Sequence, residues 1–198
     1  MKRYISVFLA ALALLAVIMS GCSSGNTDPS LAGIEIPAGM KLISPLTAEY
    51  YLFVSENWKS DITTGVVSAY YSESDPTNIC LMAFSLGSQN MSYEDYWKQY
   101  EPEFSNIYKN YTLIDSSETI MGGVTAGCFI YSGTFVTSGQ NTSGDDGEDG
   151  SAGVDYKFMS VVAIKDRNIY ILTYSARESA YETHLGDFTD TVKAFTFK

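Results

Sequence analysis

The chain is poor in the side chains that most enzymes use at neutral pH. It holds one histidine, His184, and three cysteines, Cys22, Cys80 and Cys128. Any Ser-His-Asp or Cys-His arrangement has to be built on that one imidazole. His184 lies beside Leu185 in a helical stretch, a setting that fits a surface or helix-packing role. No His-Glu-x-x-His, Gly-x-Ser-x-Gly, Walker A or Gly-x-Gly-x-x-Gly run occurs. The sequence therefore nominates no catalytic residue, no cofactor site and no metal ligand. A carboxylate pair stays open, because a glycosidase dyad leaves no local signature.

Positive charge is also scarce: 12 Lys and Arg stand against 23 Asp and Glu. That balance argues against nucleic acid as a partner and against electrostatic adhesion to an anionic membrane. Cys80 and Cys128 sit mid-strand and form no Cys-x-x-Cys pair or zinc knuckle. They read as buried free thiols, with a disulfide as the alternative. Of the five prolines, only Pro102 falls inside a helical pattern, where it predicts a break or kink. The chain contains no internal repeat.

The N-terminus carries the most specific signal. Lys2 and Arg3 precede an apolar run from Ile5 to Met19, closed by Met19-Ser20-Gly21-Cys22. The run is short for a membrane span, which needs ~20 apolar residues. A charged start, an apolar middle and small residues before a cysteine read as a bacterial lipobox. Residues 1–21 are then a lipoprotein signal peptide, and Cys22 becomes an acylated N-terminus. Its removal leaves 10 basic residues against 23 acidic ones, a net charge of −13. Attachment to the membrane would come through the lipid on Cys22. Residues 22–40, small, polar and turn-rich after the cysteine, read as a tether. Residues 41–198 are long enough for one domain with a real core.

Within that domain, residues 48–58 predict a first strand ending near Trp58. Strands follow at 64–71 and 78–86, separated by the turn residues Ser72 to Pro76. Ser92, with Asp95 three residues on, marks a helix start. Tyr93, Tyr96, Trp97, Tyr100, Phe104, Ile107, Tyr108 and Tyr111 continue at helical spacing. An aromatic stripe can be a sugar- or peptide-binding shelf, but this spacing matches a buried face. Strands at 111–120 and 124–136 flank a Gly122-Gly123 turn. Residues 139–155 then form an acidic, low-complexity loop.

Asp145 to Gly150 fails the calcium-loop template. With Asp145 at position one, Gly147 falls at three and Tyr156 falls where a bidentate Glu is needed. The three Asn-x-Ser/Thr sequons, at Asn90, Asn110 and Asn141, are incidental in a bacterial lipoprotein.

Residues 156–197 carry the clearest pattern. A strand runs to Ile164, Lys165 to Asn168 turn the chain, and a second strand runs from Ile169 to Tyr174. Phe158, Val162 and Ile164 point one way; Met159, Val161 and Ala163 point the other. Tyr170, Leu172 and Tyr174 oppose Ile169 and Ile171. Strands apolar on both faces belong to a sheet covered on both sides. Tyr181, Leu185, Phe188, Val192 and Phe195 form a helical stripe that covers one face, and the Ser92 helix covers the other.

This hairpin, helix and Phe195/Phe197 tail resembles the end of the PsbP-like family, which includes bacterial DcrB-like lipoproteins. The resemblance spans roughly residues 40–198. Ser55 stands where that pattern commonly has a proline before Trp58. The resemblance implies an α+β fold, an antiparallel sheet with a helix on each face. Because the family includes photosystem II extrinsic subunits and a Ran-binding import factor, it also implies a fold used for docking.

Two functions follow as expectations. One is a lipid-anchored envelope module without catalysis, binding an unknown envelope protein or surface component. The other is a small-ligand binder or carboxylate-dependent hydrolase using a pocket between sheet and helix. The acidic loop gives the first testable expectation. Calcium should leave the melting temperature unchanged, since an ion that binds only the native state must raise it. A calcium-dependent rise that disappears on deleting 143–152 would restore the metal reading.

Overall fold

The computed structural model describes residues 31, 33–61, 66–135 and 153–198. The fold is built outward from the hairpin at residues 154–177. Eleven strands are defined among these residues, and the first eight in chain order are short at one end and long at the other. They are β1 (Met40–Leu42), β2 (Tyr50–Tyr51), β3 (Phe53–Ser55), β4 (Lys59–Asp61), β5 (Val67–Tyr70), β6 (Asn78–Ser85), β7 (Lys109–Met121) and β8 (Val124–Phe135). The central hairpin is β9 (Val154–Lys165) and β10 (Asn168–Arg177); β11 (Thr196–Phe197) ends the chain. Helix α1 spans Tyr93–Ile107 and α2 spans Leu185–Ala194, with a 3-10 turn at Glu178–Thr183.

Seven strands form one antiparallel sheet in the order β4-β5-β6-β10-β9-β8-β7. Asp166 and Arg167 both have positive φ, 50° and 63°, as a two-residue type I′ turn between β9 and β10 requires. Gly122 and Gly123, at 59° and 81°, do the same between β7 and β8 without a side-chain penalty.

Both faces of the hairpin are buried as the alternation predicts. Val161, Ala163, Tyr170, Leu172 and Tyr174 pack with Tyr181, Phe188, Val192 and Phe195 on the α2 side. Phe158, Val162, Ile169 and Ile171 pack with Tyr96, Trp97, Phe104 and Tyr108 on the α1 side. Ser92 accepts from the Asp95 amide at 3.1 Å, while Asp95 accepts from the Ser92 amide, so a full capping box starts α1.

Several expectations are corrected. Residues 48–58 do not form one strand. Leu52, Phe53 and Val54 are all buried, which a straight strand with one wet face cannot achieve, and the chain bends between β2 and β3. β3 pairs with β1, beginning at Met40, and β2 pairs with the C-terminal β11, so two small ribbons flank the main sheet. Pro102 does not break α1, which continues to Ile107. Pro102 and Lys98, whose carbonyl loses its partner, are both exposed, so water can satisfy the freed oxygen. The helix ends before Tyr111, which belongs to β7 yet keeps its ring against Phe104, 5.8 Å away. The C-terminal stripe is divided, with Tyr181 in the 3-10 turn and Phe195 capping α2. Val154 and Asp155, assigned to the acidic loop, open β9; residues 139–152 of that loop lie outside the described residues.

Cys80 and Cys128 are free thiols. The register runs from Cys80 through Thr173 and Ser160 to Phe129, so three strand spacings, roughly 14 Å, separate their strands. Cys128 belongs to the α2-side core, and Cys80 alternates onto the opposite face. Both features exclude a bond that needs Cα atoms within ~7 Å. Burial pushes the Cys80 thiol up to about 12, which keeps it protonated and unreactive at neutral pH.

Two glycines test the packing. A Cβ on Gly133 would meet the Tyr108 Cβ at 2.5 Å, whereas one on Gly186 meets nothing within 4 Å. Gly133→Ala is expected to cost about 1–3 kcal/mol through overpacking. Gly186→Ala, in α2, should stabilise by up to about 1 kcal/mol. Urea midpoints measure both; equal effects would contradict the packing described.

Candidate functional site

The lone histidine is the centre of a buried polar cluster. His184 follows the 3-10 turn and precedes α2, and only 8% of it is exposed. Its ring lies 3.8 Å from the Tyr71 ring and edge-on to Trp58 at 5.7 Å. Nε2 is 3.3 Å from Asp75 Oδ2, and Nδ1 is 3.6 Å from Asp187 Oδ2. The first distance is a long hydrogen bond; the second is an electrostatic contact. Asp187 Oδ2 also accepts from the fully buried Trp58 Nε1 at 3.0 Å.

Local chain geometry aims each group. Trp58 closes a turn after β3, its amide donating to the Ser55 carbonyl. Asp75 sits in the β5–β6 connection, where its Oδ1 accepts from the Thr77 amide at 3.1 Å and the Thr77 hydroxyl at 2.6 Å. That leaves Oδ2 for His184. Burial alone would raise the Asp75 carboxyl, but Thr77 and His184 outweigh it and hold the group below its ordinary 3.8. Behind the cluster, the Tyr174 phenol donates to the Tyr181 carbonyl at 2.8 Å, and its ring stacks on Phe188.

This arrangement binds segments together. A general-base histidine needs one nitrogen oriented by a carboxylate and the other facing a nucleophile. Here both nitrogens face carboxylates. The cluster fastens the segment around Trp58 and the loop carrying Asp75 to the start of α2.

Next to it runs a shallow groove of about 480 Å³ between the N-terminal segment and α2, lined by Pro37 to Met40, Ser55, Asp187, Asp190, Lys193 and Ala194. Its carboxylates do not converge on free space. Asp187 serves Trp58 and His184, and Asp190 pairs with Lys193 at 3.1 Å. Between α1 and the sheet, aromatic rings fill the interface around Trp97. Trp97 stacks on Phe129 at 3.9 Å, and Phe104, Tyr131 and Phe158 stack in series. Among the described residues, no group of three or more His, Cys, Asp or Glu side chains is placed to hold a metal. Cys22 lies outside the described residues. The sequence alone gave no warning of the cluster: its one local hint is Asp187, three residues after His184, while Trp58, Tyr71 and Asp75 come from distant segments.

An antiparallel sheet between two helices, with short ribbons over one of them, defines an α+β sandwich. The chain has the PsbP-like fold. CyanoP, the cyanobacterial PsbP of Synechocystis, superposes with a TM-score of 0.56 at 14% identity over 91% of this chain and 99% of that one. LpqN of Mycobacterium tuberculosis, a protein involved in cell envelope biogenesis, gives 0.40 at 13% identity over 83% and 81%. A Pseudomonas aeruginosa protein of unknown function gives 0.45 at 12% identity over 78% and 94%. The first speaks to the fold; the other two fall below 0.5. No family model and no curated protein sequence matches the chain.

His184→Phe keeps a ring in the cluster and removes both polar contacts. It should destabilise by about 1–3 kcal/mol, since two carboxylates lose a shared partner. Asp75 gives a signed pH test. Its folded-state titration lies below the unfolded value, so its contribution is present above the unfolded value and is lost as pH falls through the folded one. Asp75→Asn should therefore flatten the acid limb of the stability curve. An unchanged limb would show that the Thr77 and His184 contacts do not hold in solution.

Proposed function

We propose that the chain is a lipid-anchored module on the extracytoplasmic face of a bacterial membrane, which presents a surface to an envelope partner and performs no chemistry. The observation that carries this reading is Met19-Ser20-Gly21-Cys22 at the end of the apolar run. Acylated Cys22 would stand nine residues before Leu31, so the domain would ride within about 30 Å of the bilayer. Among the described residues, no helix is long and apolar enough to cross a membrane. The absence of catalysis is supported by the commitment of both His184 nitrogens to carboxylates and by the ring-filled interface around Trp97.

Metabolic labelling with a palmitate analogue tests the anchor. The parent chain should take label and sediment with membranes, and Cys22→Ala should do neither. Equal label on the variant would overturn the assignment. A screen of the purified chain against esterase, glycosidase and peptidase substrates tests the rest. The expected result is no turnover. Turnover abolished by changing one Asp or Glu would contradict it.

A further inference from the structure

The seven-stranded sheet ends differently on its two sides. β4 closes one edge with 3 residues, whereas β7 runs along the other for 13. From Ile114 to Glu118, five consecutive side chains are exposed. Neighbouring side chains on a strand point to opposite faces, so this stretch projects beyond the cover of both helices. Natural sheets commonly blunt such an edge with bulges. Both irregularities of β7 lie before Asp115, and the register from Asp115 to Met121 is unbroken.

The hairpin decides which backbone groups face outward. The two-residue turn at Gly122 and Gly123 makes Met121 and Val124 a hydrogen-bonded pair. Counting back by twos, Thr119, Ser117 and Asp115 bond to β8, while Ile120, Glu118 and Ser116 turn their N–H and C=O away from the sheet. Among the described residues, no turn or loop backbone bond reaches those outward groups. Ile114 and Ile120 are 51% and 58% exposed, more than any other large aliphatic side chain among the described residues. They stand at equal distances in sequence on either side of Ser117.

We infer that β7 pairs with β7 of a second copy of the chain, antiparallel about a two-fold axis at Ser117, and so joins two sheets into one. A two-fold interface needs a surface complementary to itself, and this strand has one. The register sets Ser116 opposite Glu118 of the second copy, so outward N–H and C=O groups meet in closely spaced rungs. Asp115 comes opposite Thr119, so no carboxylate faces another, and Ile114 of each copy comes beside Ile120 of the other. A two-fold axis at Glu118 would oppose two carboxylates, and one at Ser116 or Thr119 would set an isoleucine against Glu118. The inference holds whether or not the chain is acylated.

A ribbon of this length has far fewer residues than the roughly 20–30 a side of a standard interface, so a weak dimer is expected, with a Kd of about 10–100 μM. Sedimentation equilibrium of the full chain in a density-matched zwitterionic detergent tests it. Ser116→Pro removes an outward N–H that β8 does not use. It should leave a monomer whose melting temperature in dilute solution stays close to that of the parent. Ser116→Lys faces Glu118 of the second copy and should tighten the dimer about two- to tenfold; Ser116→Glu should loosen it by a similar factor. These two variants decide the matter if the proline variant misfolds. A parent chain that stays monomeric at about 0.5 mM overturns the inference. A dimer that responds alike to Lys and Glu, or to none of the three changes, overturns it equally, because the contact then lies elsewhere.

Discussion

The β9–β10 hairpin is apolar on both faces, and that constraint organises everything around it. Val161, Val162, Ala163, Ile169, Ile171 and Leu172 are at most 3% exposed. Leaving either face in water would forfeit about 25 cal/mol for each Å² of apolar surface. The hairpin must therefore have a neighbour on each edge and a helix on each side. The neighbours are β6 and β8; the helices are α1 and α2. Each helix is itself one-sided, so neither has a stable place without the sheet.

Much of this was legible because side-chain period is a local property. Alternation assigned Phe158 and Val162 to one core and Val161 and Ala163 to the other, and each went where the pattern placed it. Turn residues marked both hairpins, and Ser92 marked the start of α1. Less could be read where structure depends on distant pairing. β1, β2 and β11 have two or three residues each, too few for a period; β1 forms against β3, and β2 forms because the C-terminal β11 returns to it. Pro102 misled because a proline's cost depends on whether the freed carbonyl is wet, which depends on the helix's orientation.

His184 shows the same limit from the functional side. Its neighbours in sequence suggest packing, and it is indeed buried. What sequence spacing hides is that the fold brings Asp75 and Asp187 to its two nitrogens and Tyr71 and Trp58 to its ring. The one imidazole on which a triad would have to be built thus lies between two carboxylates.

The doubly covered hairpin should be the most stable part of the molecule, with everything else dependent on it. Native-state amide hydrogen exchange tests this most directly. The slowest amides should lie in β9 and β10 and open only with global unfolding, while β4 and the outer edge of β7 exchange through smaller openings. Slowest exchange in α1, or in β7, would contradict the account.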